Sequence, residues 1–149
     1  MSLHSPTVDA SQVAPGLWIG ARPSPGHYRW LGVIVLAARE WQPPSFTYPN
    51  VAVLHVPLAD DPSRPMPTAQ AGSAISAART VARYLRAGQR VLVTCHLGLN
   101  RSSLIAGLAM RLAYGTKVDN VITTIREARG PQALRNPHFV RLLRDAHGR

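Results

Sequence analysis

The sequence predicts a small α/β domain: a largely parallel central sheet with helices on both faces. Three observations predict it. Short β-branched runs alternate with helical patterns through the middle of the chain, and helical patterns dominate its C-terminal half. The 149 residues, 46% of them hydrophobic, hold enough apolar material for one core. One domain is therefore expected over residues 1–149, with residues 1–10 a flexible N-terminal run.

The elements follow in order. Val13-Ala14-Pro15-Gly16-Leu17-Trp18-Ile19-Gly20 reads as a turn leading into a short strand. Residues 31–38 carry the buried-strand run Val33-Ile34-Val35-Leu36, and residues 39–49 form a loop rich in proline and aromatics. A strand over 51–58 runs into Ala59-Asp60-Asp61-Pro62-Ser63-Arg64-Pro65-Met66-Pro67, where three prolines dictate an exposed, stiff loop. Thr68 is the expected N-cap of a helix with Ala71, Ile75, Ala78, Val81, Ala82 and Leu85 on its buried face and Gly88 at its end. A strand over 90–95 precedes a helix over 101–114 that Gly115 stops. Thr116 and Asp119 form the pattern of a capping box for a helix through Arg129, ended by Gly130. Asn136-Pro137 opens a last helix reaching about His147.

In such sheets ligands sit beyond the C-terminal ends of the strands. The only cysteine, Cys95, falls at one such end and the pair Asp60-Asp61 at another, so a shared site is expected there. The run Cys95-His96-Leu97-Gly98-Leu99-Asn100-Arg101-Ser102 joins strand to helix. A tight curl aims the amides of residues 96–101 inward, Gly98 permits the strained backbone this needs, and the following helix N-terminus adds its positive end. The result is a cradle for a multiply charged anion that also favours a thiolate at Cys95. Arg101 can bridge two phosphoryl oxygens, and the Ser102 hydroxyl can reach back to the sulfur. Transfer of a phosphoryl group also needs an acid for the leaving oxygen, for which Asp60 or Asp61 is available. His96 is read as a solvent-facing loop residue within reach of substrate.

The formal net charge is +10, nearly all of it arginine, with Lys117 the only lysine. Such a surplus steers anions, although the basic residues are scattered rather than interleaved with aromatics as in a nucleic-acid platform. No apolar run reaches the length of a membrane span, no secretory signal is evident, and a lone cysteine forms no internal disulfide; a cytoplasmic setting is expected.

These residues resemble the cysteine-dependent protein tyrosine phosphatases, specifically the compact dual-specificity branch and its small bacterial members. The signature Cys95-x-x-Gly98-x-x-Arg101-Ser102 carries the match, and the likeness spans most of the chain: residues 13–20 resemble the family's entry strand, 31–36 its next strand, 56–60 its acid segment, and 126–130 with Asn136-Pro137-His138-Phe139 its closing helices. The loop is also similar to that of sulfurtransferases, but those loops are typically one residue shorter. The resemblance implies a nucleophile at Cys95, phosphate binding by Arg101 and the loop residues His96, Leu97, Gly98, Leu99 and Asn100, and sulfur release aided by Ser102. It makes Asp60 the general acid, with Asp61 in reserve, and requires no metal and no cofactor. It implies a phosphorylated protein as substrate. A polynucleotide 5′-phosphatase, a lipid phosphatase acting on phosphoinositides and a phospho-binding module are the alternatives. One departure stands out: the family usually has histidine before the cysteine to buttress the loop, and here that position is Thr94, whose hydroxyl is a candidate substitute.

Overall fold

A computed structural model describes residues 6–146. Its elements are β1 (Ala10–Ala14), β2 (Leu17–Gly20), β3 (Val33–Ala38), β4 (Ala52–Leu58), α1 (Thr68–Arg86), β5 (Val91–Thr94), α2 (Arg101–Tyr114), α3 (Val118–Arg129) and α4 (Pro137–Asp145). The sheet order is β1-β2-β5-β3-β4. Only the β1–β2 hairpin is antiparallel; β2, β5, β3 and β4 run parallel, with Ile19 opposite Val93 and Val35 opposite Val93 on the other side. β5, which delivers Cys95, is therefore the central strand. Pro57 lies in β4, an edge strand, where a missing N–H is tolerated.

Side-chain alternation along the strands divides the interior in two. Leu17, Ile19, Val33, Val35, Val91 and Val93 face one way and meet the apolar sides of all four helices. Ile34, Leu36 and Leu92 face the other way, where no helix lies; Tyr28, Leu31 and Tyr48 from the loops cover them. The expectation of helices on both faces is thus corrected. The segments joining β2 to β3 and β3 to β4 contain no helix beyond the single 3-10 turn Ser45–Thr47, so that face is closed by side chains instead. The two tyrosines are fully buried because loop carbonyls satisfy their hydroxyls: Tyr28 donates to Thr7 and Ser24, Tyr48 to Pro23, at 2.8–2.9 Å. Burial pushes both phenols above their ordinary pKa.

Several boundaries differ from expectation for local reasons. β1 emerges because Pro15-Gly16 is a hairpin turn, with Gly16 at φ 74°, rather than the start of the chain's first strand. Of the residues expected to be flexible, 1–5 lie outside the described residues, whereas the Ser24 amide donates to the Thr7 carbonyl, the Thr7 amide donates to the Ser24 hydroxyl, and Ala10 already belongs to β1. Thr68 is the first helical residue of α1, not its cap; Pro67 precedes it and offers no side-chain bond. The Thr116–Asp119 capping box does not form: Lys117 holds the cap position, and Asp119 pairs with Arg144 at 3.0 Å. Asn136 does cap α4, accepting from the His138 amide at 3.0 Å; α4 ends at Asp145, and His147 lies outside the described residues.

α2 is buried along its first ten residues and touches the sheet and the other three helices. Gly107 faces side chains of both α3 and α4, since a Cβ there would lie 2.9 Å from Leu143 Cδ2 and 3.0 Å from Val121 Cγ1. Those contacts are side-chain ends that can yield to a methyl group, and alanine gains about 0.8–1.0 kcal/mol of helix propensity. Gly107→Ala is therefore expected to be near neutral, whereas Gly107→Leu overpacks the contact and lowers stability by about 1–3 kcal/mol in urea denaturation.

Candidate active site

Residues 95–101 turn the backbone inside out relative to a strand. The Cys95 amide still pairs with the Gly20 carbonyl at 3.2 Å, as a continuation of β5. Beyond it every loop carbonyl points outward to a donor. His96 O accepts from the Arg22 amide at 3.2 Å, Leu97 O and Gly98 O from the Arg129 guanidinium at 3.0 Å each, and Leu99 O from the Leu134 amide at 2.9 Å. No amide from residue 96 to 103 donates to any protein acceptor among the described residues. Asn100 holds the N-cap position of α2, yet its side chain does not cap it. Eight N–H groups and the positive end of a fourteen-residue helix are left without protein acceptors beside Cys95, an arrangement suited to an anion.

Gly98 makes the turn possible. Its φ is 71°, and a Cβ there would lie 2.6 Å from Arg129 Nη2 and 2.7 Å from the Gly20 carbonyl carbon. The Cys95 thiol is only 5% exposed, with its Sγ 3.1 Å from the Ser102 Oγ, itself fully buried at the first turn of α2. His96 and Leu97 are exposed at the rim, as expected for His96.

Arg101 is buried to 8% exposure and fixed along one side only. Its Nη1 donates to the Leu58 carbonyl at 3.0 Å and forms an ion pair with Glu40. Nε is buried with no partner among the described residues. The Nε–Nη2 edge is the pair of donors that a phosphoryl group would take. Burial alone would raise the Glu40 carboxyl, but the hydrogen bond and charge of Arg101 outweigh it and hold its pKa below the ordinary value.

The two aspartates separate cleanly. Asp60 is joined to the loop: its Oδ2 accepts from Asn100 Nδ2 at 3.1 Å and its Oδ1 from Asn136 Nδ2 at 2.9 Å, while Asn136 is 2% exposed and donates its own amide to Asn100 Oδ1. With Arg101 and Glu40 it lines one open depression. Asp61 instead closes a turn, accepting from the Ser63 amide and hydroxyl and from Arg64 Nε. The Ser63 hydroxyl and amide, aided by Arg64, hold its carboxyl below the ordinary pKa.

The Thr94 hydroxyl does not serve the loop. It donates to the Val35 carbonyl in the neighbouring strand at 2.9 Å and is buried there. Arg129 braces the loop instead, and sequence reasoning passed over it, as it did Glu40 and the bond from Asn136 to Asp60. Arg129 lies at the last position of α3, its side chain 5% exposed, and its guanidinium is held in turn by Asp9 and Ser11 at 3.2 Å. The signal available in the sequence was an arginine immediately before Gly130 in a segment already matched to the family.

Comparison with family models finds no match, and comparison with curated proteins finds none. Among solved structures the chain is similar to human DUSP28, at 25% identity over 90% of this chain and 89% of that one with a TM-score of 0.71. It is likewise similar to a mouse putative dual specificity phosphatase complexed with zinc tungstate, at 26% identity over 90% and 83% with a TM-score of 0.71. The fold also matches that of the human tyrosine phosphatase-like serine/threonine/tyrosine-interacting protein, at 19% identity over 93% and 95% with a TM-score of 0.67. A parallel sheet ending in a cysteine cradle at the N-terminus of a buried helix, with these neighbours, defines a cysteine-dependent phosphatase. In fold and in the make-up of this loop the chain is similar to the compact dual-specificity phosphatases among these solved structures.

Removing the Arg129 brace releases two carbonyls at once. Arg129→Met is expected to weaken orthovanadate binding and lower kcat/KM by about 10–100-fold, the range for lost hydrogen bonds to a charged donor. Arg129→Lys is expected to recover only part of this, because one ammonium cannot span both carbonyls and Asp9. Vanadate titration, with amide hydrogen exchange of residues 96–101, measures the effect on the loop directly.

Proposed function

We propose that the protein dephosphorylates phosphotyrosine, and phosphoserine or phosphothreonine, in protein substrates through a phosphocysteine intermediate. The observation that carries this reading is the loop itself: amides left without protein partners, outward-tied carbonyls, the unpaired Nε of Arg101 and a buried thiol. Such a site fits a tetrahedral dianion and stabilises equatorial oxygens as charge builds on them.

In the first step the Cys95 thiolate attacks phosphorus, an S–P bond forms, and the P–O bond to the substrate oxygen breaks. Asp60 gives its proton to that departing oxygen. In the second step water attacks the phosphocysteine, Asp60 takes a proton from it, and the S–P bond breaks to release inorganic phosphate. The Ser102 hydroxyl, 3.1 Å from Sγ, can then donate to the leaving thiolate. Asn100 and Asn136 tie the Asp60 carboxyl to the loop and to the start of α4, which supports Asp60 as an acid fixed in place before substrate binds.

The site takes its substrate through phosphate contacts, so the leaving group decides its class. Purified protein and Cys95→Ser are to be assayed on p-nitrophenyl phosphate, phosphopeptides, a phosphoinositide and 5′-triphosphate RNA. Turnover of phosphopeptides, lost in Cys95→Ser, is expected. Turnover of RNA or phosphoinositide alone would overturn the phosphoprotein reading, and binding without turnover of anything would make the chain a phospho-binding module.

The aspartates give a separate test. A general acid must be protonated for the first step, so kcat/KM falls on the basic side of its profile. Asp60→Asn is expected to lower kcat on a phosphotyrosyl peptide about 100-fold or more and to remove that basic-side fall. Asp61→Asn, which only loosens a surface turn, should stay within about threefold of wild type. The reverse ranking would transfer the role to Asp61.

A further inference from the structure

The depression that holds Arg101, Asp60 and Glu40 does not end there. At Arg39 and Ala59 it meets a second depression of about 290 Å³, which lies between the proline-rich loop and the start of α4. Pro65, Met66 and Pro67 give this second space apolar walls, with Arg64 and His138 among its polar ones. Almost every polar group around the two spaces is already engaged. Glu40 pairs with Arg101, Asp61 with Arg64 at 3.0 Å, and Gln70 exchanges two bonds with the backbone of Ala59 at 2.8 and 3.2 Å. His138 Nε2 is 3.2 Å from the Pro62 carbonyl.

Apart from the unpaired Nε of Arg101, Arg39 is the exception. Its backbone amide donates to Leu58 at 3.1 Å, but its guanidinium has no hydrogen-bond or ion-pair partner among the described residues. It stands at the junction, exposed, following the last residue of β3. A phosphoresidue seated on the Cys95 loop therefore has, beside it, an uncompensated arginine fork and an apolar-walled space next to that fork. A carboxylate on a short methylene stem complements both: the stem lies along Met66 and its flanking prolines, and the oxygens meet the Arg39 donors.

We infer that the second depression is a specificity subsite for a glutamate side chain flanking the phosphoresidue, with Arg39 as its charge partner. This rests on the phosphoprotein reading of the Cys95 site. The net charge of +10 would favour any acidic ligand, so a local subsite must be separated from the field of the whole chain.

The test compares kcat/KM for two phosphotyrosyl peptides that differ only in glutamate or glutamine at the positions flanking the phosphotyrosine. Wild type, Arg39→Glu and Arg79→Glu are measured in parallel; Arg79 is an exposed residue of α1 that lines neither depression. Wild type is expected to prefer the glutamate peptide about three- to tenfold, the range of a partly exposed ion pair. Arg39→Glu should abolish or reverse that ratio, and Arg79→Glu should keep it. Equal turnover of the two peptides by wild type, or an unchanged ratio in Arg39→Glu, overturns the subsite. An equal loss in both charge reversals assigns the preference to bulk charge and also overturns it. Hydrolysis of p-nitrophenyl phosphate with neither peptide turned over overturns the phosphoprotein reading, and the subsite with it.

Discussion

Four consecutive carbonyls, those of residues 96–99, must all face away from the space above Cys95, and this constraint organises the rest of the molecule. Amides can point inward only if carbonyls point outward, and a buried carbonyl without a donor costs about 1–3 kcal/mol. The donors come from three distant places: the Arg22 amide after β2, the Arg129 guanidinium at the end of α3, and the Leu134 amide between α3 and α4. The last of these is delivered by a leucine at φ 59°, a left-handed conformation that costs about 1–2 kcal/mol for a side chain of that kind. Strain there is offset by the bond it makes to the loop. The cradle is thus a tertiary construction, and the local sequence from Cys95 to Arg101 is only its inner lining.

The same logic links the candidate acid to the nucleophile. Asn100 belongs to the loop but leaves the α2 cap open and reaches out to Asp60, while Asn136 does the same from the start of α4 and caps that helix with its other side-chain atom. A residue type favoured at helix caps is used once as a cap and once not, and the uncapped helix is the one that follows the Cys95 loop. Arg101 follows a parallel division of labour. Its Nη1 is tied to Glu40 and the end of β4, so the guanidinium plane is fixed before any phosphate arrives and little rotamer entropy remains to be lost.

The sequence made some of this legible and hid the rest for identifiable reasons. Cys95, Gly98, Arg101 and Ser102 stand within eight residues, where a strand, a turn and a helix each leave a local mark, so their spacing exposes the loop. The strands β3, β4 and β5 and the helix α2 were readable for the same reason. What stayed hidden was the partnership between segments far apart in the chain: Arg129 with residues 97 and 98, Glu40 with Arg101, Asn136 with Asp60. The Thr116–Asp119 pattern misled because a tertiary ion pair with Arg144 outcompeted a local cap. The two faces of the sheet misled because alternation in Val33–Leu36 is invisible when every residue is apolar; only the coverage by Tyr28 and Tyr48 distinguishes them.

The arginine excess acquires a different meaning once the partners are seen. Read as composition, it offered either an anion-steering field or a merely basic surface. Arg86, Arg101, Arg111, Arg126 and Arg129 instead each donate to a backbone carbonyl that is distant in sequence or at the end of an element. Arg126 bonds both Ala133 and Leu134, the residue whose amide holds Leu99, so it stands behind the loop as Arg129 stands beside it. A guanidinium can satisfy two or three acceptors in one plane, whereas an ammonium on a flexible stem is a single point of charge. In a fold whose phosphate site requires a row of outward carbonyls, arginine is the side chain best able to meet them. Part of the positive charge near the site therefore follows from the need to hold the loop open, and its attraction for phosphate is a second consequence of the same residues.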